Sequence, residues 1–163
     1  MTRNIQEKKI DAELNSSIME KLVEEGVKFH GHLGPFLILG LKAGLFANSM
    51  LGKDYFQMHV TVETEPSPPF SCIVDGIQIA TGCTMGKRNI KLKKGRHLSV
   101  TFTKGEKRLK IRLKDEILKN LENLKSKEES EHKAISLINQ PICELFDVKE
   151  QPDSSQREQE SSQ

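Results

Sequence analysis

The sequence predicts an α+β domain, helices packed on a mostly antiparallel sheet, and three observations carry that expectation. Apolar residues recur at helical spacing from Ile10 to Val27, through Leu14, Ile18, Leu22 and Val23, with Glu20, Lys21, Glu24 and Glu25 off the stripe. The run Phe36 to Met50 is apolar nearly all round, as in a central buried helix. Two alternating runs, from Leu98 to Thr103 and from Lys107 to Leu113, flank Lys104-Gly105 as hairpin strands flank their turn.

The remaining elements follow in order. Gly26 sits where the first helix loosens or ends, and His30-Gly31-His32 comes next. Pro35 suits the first turn of a new helix, where its missing N–H would be unpaired anyway. Gly40 and Gly44, four apart, leave one face of that helix open to another backbone, and Gly52 stops it. Phe56, Met58, Val60 and Val62 alternate with Gln57, His59, Thr61 and Glu63, so Tyr55 to Glu63 is a half-buried strand. Pro66-Ser67-Pro68-Pro69 ends it, and Ser71 is placed to cap a short helix from Cys72 to about Ala80 that terminates at Thr81-Gly82. A strand from Asn89 to Lys93 precedes the hairpin. A helix is expected from Glu116 to Leu124, and a second from His132 to Phe146, interrupted at Pro141. After about Lys149 almost nothing is apolar, so residues 1–148 read as the domain and 149–163 as a disordered polar tail.

The bulk properties narrow the class. A chain of 163 residues, 36% hydrophobic and 29% charged, reads as one soluble globular domain. No apolar run approaches the roughly 20 residues of a membrane span, and the first residues lack the apolar core of a signal peptide. Three widely spaced cysteines make no disulfide framework, and the expected location is cytoplasmic, where thiols stay reduced. The net charge of +2 is unevenly spread: Gly86 to Lys114 holds 12 Lys or Arg against Glu106 alone, and from Asp115 onward 12 acids face 6 bases. Such asymmetry marks a nucleic-acid surface or a basic sheet beside an acidic neighbour. Phe102 is the one aromatic residue in the basic stretch, and alternation puts it on the buried side with Leu98 and Val100. Stacking platforms are therefore missing, which counts against nucleic acid as a partner.

Chemistry is concentrated in two segments, His30-Gly31-His32-Leu33-Gly34-Pro35 and Cys72 to Lys87. Soft sulfur and imidazole donors beside tight turns suit a transition-metal site. His30 and His32 would diverge by about 200° on a helix, but in a looped stretch they project to one side. Cys72 and Cys83 pose a geometric problem, since a straight helix between them at about 1.5 Å per residue holds them roughly 16 Å apart. Either the chain doubles back through Gly82, or the two serve different places, or Cys72 of one protomer meets Cys83 of another. Cys83 also reads as a packed core cysteine, whereas a thiolate at Cys72 would be favoured where it opens a helix. Asp75, one turn on, is a further ligand, a base, a partner orienting a histidine, or an acid complementing the helix dipole. Gly82-Cys83-Thr84-Met85-Gly86-Lys87-Arg88 lacks the glycine spacing and the Ser/Thr of a nucleotide-hydrolase loop, although Lys87 and Arg88 could still hold an anion.

The run from His30 through Gly40, with Asp75-Gly76-Ile77-Gln78 and Thr81-Gly82-Cys83-Thr84-Met85-Gly86-Lys87, resembles the FmdE family of formylmethanofuran dehydrogenase-associated proteins over roughly residues 15 to 140. The resemblance implies an α+β domain, often a homodimer, with a site for a divalent transition metal, zinc first. By position its ligands would be His32, Cys72 and Cys83, with His30 adjacent. It also implies a role accessory to a molybdenum or tungsten oxidoreductase that forms formylmethanofuran, whose components would be the partners. Two departures stand out: Gly34 occupies a place where many members have cysteine, and the C-terminal zinc ribbon of longer members is missing. The alternative is a stand-alone metalloenzyme, with Asp75 as general base and Lys87 holding a small anionic substrate.

Overall fold

The structure, a computed structural model, describes residues 5–152, with side chains from residue 15 to residue 150. Helix α1 (Ile5–His30) runs straight through Gly26. Pro35 opens α2 (Pro35–Leu51), and Gly52 caps it with its N–H on the Asn48 carbonyl. Leu37, Ile38, Leu39 and Leu41 have no exposed surface. Each such side chain contributes about 1.5–3 kcal/mol of transfer free energy, which makes α2 the centre of the core.

Strand β1 (Met58–Thr64) leads through a short 3-10 turn (Phe70–Cys72) into α3 (Ile73–Thr81), and then to β2 (Ile90–Lys94). Because α3 crosses over between them, β1 and β2 pair in parallel, with Val60 opposite Ile90. The other pairings are antiparallel: β3 (Ser99–Lys104) lies beside β1, and β4 (Lys107–Leu113) closes the expected hairpin. After α4 (Asp115–Glu122), α5 (Lys127–Ile138) and α6 (Ile142–Leu145), strand β5 (Phe146–Pro152) joins β4. The sheet order is β2-β1-β3-β4-β5, and the architecture is the expected α+β.

Helices α2 and α3 pack backbone to backbone. A Cβ on Gly40 would overlap the Ile73 carbonyl, and one on Gly76 would overlap the Leu37 carbonyl. This close approach positions α3, and with it the motif residues.

Four expectations change. Helix α5 begins five residues before His132, because Ser126 accepts the Glu129 N–H while the Glu129 carboxylate accepts the Lys125 N–H. The helix expected to run on to Phe146 ends at Leu145, and the polar tail expected from 149 is strand as far as Pro152. Phe146 and Val148 face Leu113 and Ile111 across the ladder, and Phe146 is buried. The rest of that tail lies outside the described residues. Ser71 caps nothing: the helical turn at Cys72 feeds α3 directly, with no side-chain cap bond. Among the described residues no helix is long and apolar enough to cross a membrane.

Candidate functional site

His30 is the last residue of α1, and Gly31, at φ 97°, turns the chain back so that His32 comes beside it. That backbone conformation suits glycine, which has no Cβ to clash. The two imidazole centroids are 4.6 Å apart, so the pair shares one side of the turn, as a looped His-x-His requires. The His30 side chain is 10% exposed, and its Nδ1 donates to the Asp75 Oδ2 at 2.6 Å. A carboxylate on Nδ1–H fixes the tautomer and leaves the Nε2 lone pair free for a ligand role.

Asp75 reaches His30 because it lies in the first turn of α3, against the end of α1. Cys72 precedes it by three residues, on the same side of the helix start. The expectation of a thiolate at Cys72 is corrected: burial, and next the charge of Asp75, push its pKa up, so helix position does not decide the matter. A Cβ on Gly34 would stand 3.2 Å from the His32 Nε2. Gly34, where the resemblance leads one to expect cysteine, therefore adjoins the exposed histidine.

Cys83 is elsewhere. It lies two residues beyond α3, fully buried, with its Sγ donating to the Met58 carbonyl at 3.3 Å and its N–H bound to the Thr81 Oγ1. The nine residues of α3 place its two ends about 13 Å apart at 1.5 Å per residue. Cys72 and Cys83 thus serve different places, and a thiol with no exposed surface does not meet a neighbouring protomer. Burial pushes the Cys83 pKa up as well, as expected of a core cysteine.

Lys87 is at the Cys83 end too. Its ammonium donates to the Gly82 carbonyl, where it complements the C-terminal end of the α3 dipole. It also stands 5.5 Å from the Tyr55 ring centroid. Asp75 and Lys87 therefore do not face one substrate.

Among the described residues no three His, Cys, Asp or Glu side chains converge closely enough to hold an ion as they stand. The donor chemistry at the amino end of α3 nevertheless suits a borderline metal: a histidine oriented by a carboxylate, a second imidazole beside it, and a thiol one turn away. Cys83 is not part of that set. Cys143 is exposed and outside it as well. One half-buried charge has no signal of its own in the sequence. Lys42, a single charge in the otherwise apolar α2, is desolvated, which lowers its pKa, and donates to the Ile138 carbonyl at 2.9 Å.

Residues 29–155 match the model of the family described as FmdE, molybdenum formylmethanofuran dehydrogenase operon. The chain belongs to that family. A probable S-adenosyl-L-methionine-binding protein of Archaeoglobus fulgidus is 33% identical over 76 residues, 45% of this chain. The match covers 21% of that relative, so the chain spans about a fifth of its length. The crystal structure of a tungsten formylmethanofuran dehydrogenase FmdE-like protein from Syntrophus aciditrophicus superposes with a TM-score of 0.59 at 19% identity. That overlap covers 82% of this chain and 72% of the other, and it shows a shared fold.

Proposed function

We propose that this chain is a small metal-binding protein that works alongside a molybdenum or tungsten formylmethanofuran dehydrogenase-type oxidoreductase. The observation that carries the metal reading is the 2.6 Å bond between His30 and Asp75, with the tilted His32 ring 4.6 Å from that of His30. In this reading His30, His32 and Cys72 hold a divalent ion, zinc first, and Asp75 orients His30. Such an ion supplies either a fixed link between the α1–α2 turn and α3 or, with a position left open, a Lewis acid. The residues do the rest: Asp75 keeps the His30 Nδ1 protonated, and burial of His30 limits competing water. Family membership supports the association with the oxidoreductase.

The test is elemental analysis of untagged protein, followed by pull-down of oxidoreductase components. About one divalent ion per chain is expected, lost in His30→Ala and Cys72→Ser and retained in Cys83→Ala. Metal-free protein after anaerobic reconstitution would overturn the reading.

A further inference from the structure

The helices cover one face of the sheet, and strand alternation sorts cations onto the other. On β4, Arg108, Lys110 and Arg112 alternate with buried Leu109, Ile111 and Leu113. On β2, Lys91 and Lys93 alternate with Ile90 and Leu92. Between these two strands the outward residues of β1 and β3 include Thr61, Ser99, Thr101 and Thr103. The register sets Lys91, Thr61, Thr101, Lys110 and Lys149 in one row across the sheet. Three strand spacings of about 4.8 Å separate the cationic walls by about 14 Å. Ser99 and Thr101 between the walls are buried, so the Lys and Arg rows, rather than the strand hydroxyls, form the surface of this face.

Its two ends differ. At one end Glu63 and Asp147 share a row with Lys93 and Arg112, and Arg112 also meets Asp115 at 3.1 Å. The other end is where β1 and β2 begin and where the β3–β4 turn lies; its loops carry Lys53, Lys87 and Arg88, Lys104 ends β3, and the turn itself holds Glu106. Asp54 is the one acid in segments 52–57 and 82–89. Its carboxylate accepts the Phe56 and Gln57 N–H groups, and these bonds lower its pKa.

That basic end also carries exposed rings, Tyr55 at 52% and Phe56 at 72%. Both are built into place. Buried Asn89 donates to the Tyr55 carbonyl at 2.9 Å and accepts the Thr84 N–H at 2.8 Å, tying the two loops together. The Tyr55 ring lies against Gly82, where a Cβ would collide with it. The Lys87 ammonium stands 5.3 Å from the Phe56 centroid. The basic stretch thus acquires stacking platforms from a chain segment thirty residues upstream of it.

We propose that this face binds single-stranded nucleic acid, with phosphates along the Lys and Arg walls and bases stacked on Tyr55 and Phe56. A second copy is disfavoured as occupant, because two such faces would oppose cation to cation. The test is fluorescence anisotropy of the full chain with a labelled oligouridylate of about 20 nucleotides, titrated between about 50 and 200 mM salt. Affinity should fall steeply with salt. Lys91→Gln and Lys110→Gln should each reduce the log–log salt slope by about 1. Tyr55→Ala/Phe56→Ala should weaken binding roughly tenfold at constant salt. Phe56→Ala alone, at a site with little packing to lose, should retain part of that loss with an unchanged melting curve. No binding at 50 mM salt would overturn the proposal, as would affinity unmoved by Phe56→Ala and the double variant. Equal or tighter binding to duplex DNA or to phosphatidylserine vesicles would also overturn it.

Discussion

The two ends of α3 began as one motif and became two environments. At the amino end, Asp75 meets the α1–α2 turn, where His30 and His32 present nitrogen donors, and Cys72 lies three residues before it. At the carboxyl end, Cys83 is sealed against Met58 while Lys87 sits on the helix terminus beside Tyr55. The same residue type is half-exposed and beside a carboxylate at one end, and a core packing element at the other. Ligand candidacy follows from which end of the helix a residue reaches, rather than from membership of a conspicuous motif.

The largest expected effect removes the support that both ends share. Gly76→Ala would push a Cβ into the Leu37 carbonyl, so α3 must move off α2. Overpacking of this kind costs about 1–3 kcal/mol, and more where backbone is the obstacle. A marked fall in denaturation midpoint is expected by urea titration, with loss of bound metal as a consequence. An unchanged midpoint would mean that the helices separate freely and that the ends are not fixed relative to one another.

Next comes the asymmetry between the cysteines. Cys83→Ala leaves a small void and an unpaired Met58 carbonyl in the core, at a cost of about 1–3 kcal/mol. Cys72→Ser, at a partly exposed position, should stay within about 0.5 kcal/mol of the parent. Metal content should respond in the opposite order. Equal destabilisation by the two substitutions would erase the distinction between the ends.

Much of this was legible in the sequence, and the gaps have physical causes. The buried helix α2 and the β3–β4 hairpin announce themselves through unbroken or alternating apolar residues. Strand β5 did not, because an edge strand with one solvated face carries just Phe146 and Val148 as signal, amid Asp, Lys and Glu. The early start of α5 was written in Ser126-Lys127-Glu128-Glu129, a capping pattern hidden in a charged run. At the site, spacing stated the problem of Cys72 and Cys83 but not its solution. That depended on whether the chain turned back at Gly82, and the direction after a left-handed glycine is a tertiary matter. The pairing of His30 with Asp75 spans 45 residues and depends on the Gly40–Gly76 contact, which no local pattern encodes.

Gly34→Cys would sharpen the comparison by enriching one end alone. The new Cβ would stand 3.2 Å from the His32 Nε2, close enough that the exposed imidazole must shift by a few tenths of an ångström. Its backbone φ of −135° is open to any residue, so the substitution strains no dihedral. A fourth donor should raise zinc affinity by about tenfold or more, within the range that single ligand-shell changes produce. Competition against a chelating dye measures it. No gain would place the ion away from His32.

The smallest effect lies in the Cys72 thiol itself. Burial and the Asp75 carboxylate both raise its pKa, so at a fixed pH less thiolate is available than at an ordinary cysteine. Asp75→Asn removes the second cause and leaves the first, so the pKa should fall while remaining above the usual value. At pH 8 the thiolate fraction, and with it the rate of iodoacetamide alkylation, should rise. Peptide mapping separates the sites: Cys143, exposed, labels in both proteins, and Cys83, sealed in the core, labels in neither while the fold persists. The same substitution exchanges the carboxylate that accepts from His30 for a neutral amide oxygen that holds Nδ1–H more weakly, so faster labelling of Cys72 and weaker metal retention should appear together. Faster labelling with undiminished metal binding would mean that Asp75 tunes the thiol but does not orient the histidine. The amino end of α3 would then contain two independent pairs in place of one site.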